Sequence, residues 1–185
     1  MEIDVAMADH LLSTTRSVRR RLDLTGPVAK EVITECVRVA IQAPSAANAQ
    51  NWRWVAVTEP QRRAAIAGIH RSANEEYAER RLDSLPDAAD RRRMASSLHL
   101  IRHLHEVPVH VVVYALDPQL DRLDGQDVPP ALLYGSVFPA VWSFQLALRA
   151  RGLGTAPLHV ADQAAVNQVV GAPPSARIAS LLPVA

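Results

Sequence analysis

Residues 36–57 read CVRVAIQAPSAANAQNWRWVAV. The first part continues an apolar pattern of helical spacing that runs through Val28, Val32, Ile33, Cys36, Val37, Ala40 and Ile41. Pro44 stops it, because the residue before a proline avoids the α region. Trp52 to Val57 is aromatic and β-branched, which predicts a strand. Between them Pro44, Ser45, Ala46, Ala47, Asn48, Ala49 and Gln50 make a short loop of small and amide-bearing residues. Both flanking elements must be buried, so the loop has a rigid base and lets a ligand approach backbone. Its hydroxyl and amide groups can read the edge of a planar heterocycle. A capped loop between helix and strand explains the same residues equally well.

Outward from this stretch, the 185 residues suit one domain spanning 1–185, or one protomer of an intertwined dimer. Apolar residues make up 49% and charged residues 21%, too apolar a balance for wholesale disorder. A net charge of +1 supplies no field to recruit nucleic acid or a membrane surface. The single cysteine, Cys36, excludes an internal disulfide and a cysteine-based metal site, and its apolar helical context marks a buried, inert thiol. The start, MEIDVAMADHLLS, lacks the basic n-region of a secretory signal. No uninterrupted apolar run approaches the roughly 18 residues of a membrane span. These features predict a soluble, cytoplasmic protein.

Residues 5–14 read as a short helix. Pro27 suits the first turn of the next one, where its missing N–H costs nothing. After the strand at 52–57, Pro60 opens a helix to about Leu85, Pro86 breaks it, and Asp87 caps another to about Glu106. Val109 to Leu116 is the clearest strand, apolar enough to be central. Asp117 to Pro130 carries the turn signals of a polar loop. From about Pro130 to Arg151 a helix is apolar almost all round, which implies burial on every face and, in so small a chain, the centre of a dimer. Pro139 inside it implies a kink or a late start. GLGTAPLHV predicts a turn and a short strand, Asp162 caps a helix to Val170, and Arg177 to Val184 is a last strand. The order α, α, β, α, α, β, α, β, α, β is mixed α and β without Rossmann alternation.

Arg16, Ser17 and Arg19 lie within four residues. Two guanidiniums and a hydroxyl make a possible phosphate clamp, each charge-assisted hydrogen bond contributing roughly 1.5–3 kcal/mol. Spacing alone is better explained by a solvated basic turn. His99 and His103 have the i, i+4 spacing of a zinc pair, but no metalloprotease signature surrounds them. His105 and His110 flank Val107-Pro108 and read as surface or satisfied core residues. Arginines 91–93 face nearby acids and too few aromatics to form a nucleic-acid platform.

Taken together and in order, three segments resemble the nitroreductase family of FMN-dependent NAD(P)H oxidoreductases. TTRSVRRRLD resembles the family's R-S-x-R motif. APSAANAQNW resembles its A-P-S-x-x-N-x-Q-P-W motif, with Asn51 where the family carries proline, a change expected to alter only loop stiffness. FPAVWSFQLALRARGLGTAPL resembles the long central helix and the Gly-rich turn after it. The likeness covers about residues 10–185, without the family's tail beyond the last strand.

The resemblance implies an α+β homodimer, intertwined around a central, mostly antiparallel sheet flanked by helices, with two FMN sites at its interface. It implies that Arg16, Ser17 and Arg19 bind the phosphate and ribityl groups. Pro44, Ser45, Ala46 and Asn48, with Gln50 close by, would reach the isoalloxazine of the partner subunit. Pro157, Leu158 and His159 would lie by its reactive edge, His159 standing where some members carry an acid. The activity implied is ping-pong reduction of nitroaromatic, quinone or similar conjugated acceptors by NAD(P)H, with no metal and no catalytic side chain needed. Alternatives are a flavin-dependent dehydrogenase of a secondary metabolite and a non-catalytic flavin-binding or sequestering protein.

Overall fold

The computed structural model describes residues 3–116 and 130–185. The expected polar loop at 117–129 lies outside them. The described residues form helices α1 (Val5–Thr14), α2 (Lys30–Ala40), α3 (Pro60–Ser84), α4 (Ala88–His103), α5 (Pro130–Arg149) and α6 (Gln163–Val170). The strands are β1 (Trp52–Val57), β2 (Val109–Ala115) and β3 (Arg177–Val184), in one antiparallel sheet of order β1-β2-β3. The fold is α+β, as expected.

Local chemistry sets most boundaries. Asp4, Asp87 and Asp162 each accept a hydrogen bond from an amide three residues on, at 3.0, 2.8 and 2.9 Å, and so cap α1, α4 and α6. Pro60 occupies the first turn of α3. Gly152, at φ 78°, turns the chain after α5 so that the amide of Leu153 reaches back to the carbonyl of Leu148.

Three expectations are corrected. The second helix begins at Lys30, because Ala29 is still extended at ψ 138°, and Pro27 and Val28 belong to its approach. α4 stops at His103 and tightens into a 3-10 turn at Leu104–Glu106. Among the described residues the strand expected within GLGTAPLHV is reduced to two isolated bridges, Thr155 to Val184 and Leu158 to Leu181. Pro157 between them has no N–H to continue a ladder.

β2 is buried along its whole length, with α helices on both faces of the sheet. Val109, Val111, Val113 and Ala115 pack with Leu133, Val137, Val141, Phe144 and Leu148 of α5 and with Ile33 and Cys36 of α2. Val112 and Tyr114 point the other way, into a cluster with Ile66, Leu104, Val166 and Leu181. Burying each such large side chain contributes about 1.5–3 kcal/mol.

α5 runs continuously through Pro139 from Pro130. Residues 131–149 are long and apolar enough to cross a membrane by length and composition, although small and polar residues interrupt the run; half of that window is buried inside the chain. Its opposite stripe is bare in the single chain: Leu132, Phe138 and Trp142 are 43%, 47% and 41% exposed.

Candidate active site

The N-terminal motif and the Gly-rich turn meet in one seam. The amide of Val18 donates to the carbonyl of Thr155 at 2.9 Å. On its other side the same segment pairs with β3 and its end: Gly154 N to Ala185 O at 2.7 Å, and Leu158 N to Leu181 O at 2.8 Å. The approach is tight at Gly154, where a Cβ would stand 3.0 Å from the Cβ of Val18.

Arg16 and Arg19 flank the pinned Val18 and line different cavities. Arg16 faces one of about 470 Å³, together with Arg21, Arg149 and Gly154. Its Nη1 donates to the carbonyl of Thr15 at 2.8 Å, and Ser17 beside it is exposed. Arg19 instead lines a cavity of about 220 Å³ with Pro157, Leu158 and His159. The structure thus brings residues 16–19 and 157–159 to one seam but divides the two guanidiniums between its sides.

The loop at 44–50 stands apart. It lines neither of these cavities. Ser45 Oγ accepts from the amide of Gln50 at 3.1 Å, and Gln50 Nε2 donates to Asn48 Oδ1 at 3.0 Å. The amide of Ala46 donates to Ser136 Oγ on α5 at 3.1 Å, while Pro44 is exposed. Ala47, Asn48 and Gln50 have φ of 50°, 53° and 46°. Left-handed backbone costs about 1–2 kcal/mol per non-glycine residue, so the packing around this loop must hold it against real strain. In the single chain the loop lies beside α5, away from the seam.

Asn51 does more than soften the loop. Its side-chain Nδ2 donates to the carbonyl of Leu116 at 3.1 Å, and its carbonyl accepts from the amide of Leu116 at 2.7 Å. The residue is buried and extends the β1–β2 ladder by one pair.

Electrostatics favour an anion in the larger cavity. Arg16, Arg21 and Arg149 line it, and among the described residues no carboxylate pairs with any of them. The acidic side chain on its wall, Asp23, accepts from Thr25 Oγ1 at 2.8 Å and from the amides of Thr25 and Gly26 at 3.0 and 3.1 Å. The Thr25 side chain, with those amides, holds its carboxyl below the usual carboxylate range. A volume near 470 Å³ with a few convergent charged groups has the size of a small-molecule site. These residues fit a phosphorylated ligand such as FMN.

Arg21 and Arg149 escape sequence reasoning. Arg149 lies just before the Gly-rich turn, but only the fold carries it to Arg16. His70, Asn74 and Tyr77 of α3 line the smaller cavity and were equally unmarked; their i, i+4, i+7 spacing is the available signal. His99 and His103 stack with ring centroids 4.3 Å apart, and His103 Nδ1 lies 2.6 Å from Glu106 Oε1. The described residues contain no group of three metal-ligating side chains. Cys36 is buried, and that burial pushes its thiol pKa up.

The seam, the sheet and the central helix define a protein of the nitroreductase fold. The chain belongs to the nitroreductase family, whose model matches residues 12–185. It is similar to a 5,6-dimethylbenzimidazole synthase of Rhodospirillum rubrum, 30% identical over 168 residues that cover 89% of this chain and 74% of that protein. It is also similar to an NADH dehydrogenase of Thermus thermophilus, 30% identical over 195 residues covering 90% and 80%. The solved structure of an oxidised iodotyrosine deiodinase bound to FMN and 3-iodo-L-tyrosine superposes with a TM-score of 0.69 at 24% identity, covering 94% of this chain and 86% of that one.

Proposed function

We propose that this protein is an FMN-dependent oxidoreductase that takes reducing equivalents from NADH or NADPH and passes them to a nitroaromatic, quinone or similar conjugated acceptor in ping-pong order. The observation that carries the reading is the Val18–Thr155 hydrogen bond, which fixes the arginine motif against the segment 154–159. FMN, when bound, supplies the two-electron chemistry, and the chain supplies binding and orientation. Arg16, Arg21 and Arg149 hold the phosphate and Arg19 the ring edge, with the exposed Ser17 beside Arg16 left to the ribityl chain. Pro157, Leu158 and His159 present backbone and side chains to the ring. Pro44, Ser45, Ala46, Asn48 and Gln50 act on the site of a second copy, since they lie beside the bare stripe of α5 and not at their own seam.

Purified protein should be yellow or turn yellow with FMN, and NADH or NADPH should bleach it without oxygen until an acceptor restores the colour. A colourless protein that FMN cannot reconstitute overturns the reading. Phe138→Arg, placed on the bare stripe, should give a monomer by light scattering that has lost its flavin. A second reading, oxidation of a small metabolite in biosynthesis, is favoured by the likeness to the 5,6-dimethylbenzimidazole synthase. Bound flavin that neither nicotinamide reduces would point there.

A further inference from the structure

α4 carries a group of side chains that neither cavity uses. Met94, Ser97, Leu100 and Ile101 line the smaller cavity, whereas His99 and His103 line neither it nor the larger one. Their i, i+4 spacing puts them on one face of the helix, with ring centroids 4.3 Å apart and planes tilted by 34°. The His103 side chain is 41% exposed and His99 is half-buried, so a small ion reaches both from solvent.

Two imidazoles so placed suit a divalent late transition metal, but a pair by itself is only spacing. The 3-10 turn at Leu104–Glu106 adds what the spacing lacks. Glu106 Oε1 lies 2.6 Å from His103 Nδ1. A carboxylate oxygen accepts, so in the neutral ring Nδ1 carries the proton and the lone pair is left on Nε2. A carboxylate on one imidazole nitrogen and a metal on the other is the arrangement that fixes tautomer and ring direction in metal sites. His105 is already engaged: its Nδ1 lies 3.4 Å from Arg71 Nη2 and its Nε2 3.8 Å from the same Glu106 oxygen. Among the described residues no third ligand joins the pair, so water takes the remaining positions. Arg20 acts on His99 against a cation, and Glu106 acts on both histidines in its favour.

We propose that His99 and His103 form a surface chelate for one divalent late transition-metal ion, with Glu106 as the positioning residue that leaves Nε2 of His103 as the ligand. Copper(II) ranks first for such a nitrogen pair, nickel(II) and zinc(II) rank below it, and magnesium, which prefers oxygen, does not compete. The site is independent of the oxidoreductase reading, since none of the three residues lines the cavities beside the seam.

Copper(II) titrated into the protein as isolated, followed by electron paramagnetic resonance, tests this. One equivalent should bind with nitrogen splitting from two imidazoles, and excess magnesium should not displace it. His99→Gln and His103→Gln should each weaken copper at least about tenfold, because each removes one arm of a chelate. The splitting left should be that of one nitrogen. Glu106→Gln should weaken copper by about tenfold as well, yet keep the two-nitrogen spectrum, which loss of a ligand would not. His10→Gln, at an exposed residue of α1, should change nothing and controls for copper on any histidine. Wild-type affinity in either α4 variant, an equal loss in His10→Gln, or a one-nitrogen spectrum in the wild type overturns the inference. Zinc(II) gives a second measurement: it should raise the thermal midpoint of the wild type but not of His99→Gln or His103→Gln. Equal shifts in all three proteins overturn the inference too.

Discussion

Val18 and Gly154 are in close contact: a Cβ added to the glycine would lie 3.0 Å from Val18 Cβ and 3.1 Å from Leu22 Cδ2, so those side chains would have to give by a few tenths of an ångström. The contact lies beside the Val18–Thr155 hydrogen bond that closes the seam. Gly154→Ala should therefore force the N-terminal segment away, destabilising the fold by roughly 1–3 kcal/mol, as other overpacked sites do. Denaturant midpoints measure the first effect and FMN titration the second, a weaker affinity. Unchanged flavin affinity in a destabilised variant would separate the seam from the cofactor.

Arg149→Gln and Arg21→Gln should each weaken FMN by tenfold or more, since a charge-assisted hydrogen bond contributes roughly 1.5–3 kcal/mol. Neither should alter affinity for riboflavin, which lacks the phosphate. Flavin fluorescence quenching compares the two ligands in each variant. Equal losses for both would place these arginines away from the phosphate.

Asn51→Pro, which restores the family's residue, should destabilise this chain by roughly 1–3 kcal/mol. It removes the side-chain bond to Leu116, and it asks Gln50, at φ 46°, to become extended before a proline. Urea unfolding checks the stability. A neutral result would show that the loop relaxes without cost.

His110 makes stability pH-dependent. It is fully buried, its Nε2–H donates to the carbonyl of Leu104 at 2.9 Å, and Nδ1 is buried without a partner. Burial, outweighing the raising effect of that carbonyl and joined by Arg63 and His70, brings its pKa down to about 4 from an ordinary 6.5. Between those values the unfolded chain binds a proton that the folded chain refuses. Stability is therefore complete above about pH 6.5 and falls as the pH drops towards 4, by up to about 1.4 kcal/mol per pH unit. His70, depressed by burial and then by His159, slopes the same way. His110→Gln should flatten the dependence in urea titrations at about pH 5 and pH 7; an unaltered slope would remove His110 as its source.

Much of the fold was legible because local chemistry agreed with tertiary need. Asp87 and Asp162 cap where their sequence context says they should, and the β-branched run at Val109 is the fully buried strand. The segment after Gly152 was misread because its apolar composition suits a strand, while Pro157 limits it to two bridges. For the site, Arg16 and Arg19 lie three residues apart in the sequence yet line different cavities. Spacing could not show that, since it depends on Val18 being tied to a carbonyl far along the chain. The same reason hid Arg149, and it hid the cavity face of α3, where polar positions 70, 74 and 77 acquire meaning only against α4 and His159.

One arginine holds together both ends of the helical pair. Arg63 donates to the carbonyls of Thr58, His105 and Val107, so residues leaving β1 and residues entering β2 are tied by a single guanidinium. Val57 and His110 are register partners at that same place. The chain from 58 to 107 thus departs from the sheet and returns to it at one point, as a closed cassette. A helical pair from a relative, grafted between these ends with an arginine kept at 63, would replace two walls of the smaller cavity and leave the sheet and the seam as they are. The lining that this helical pair gives to the cavity can be exchanged as a unit, with the Val18–Thr155 closure left intact.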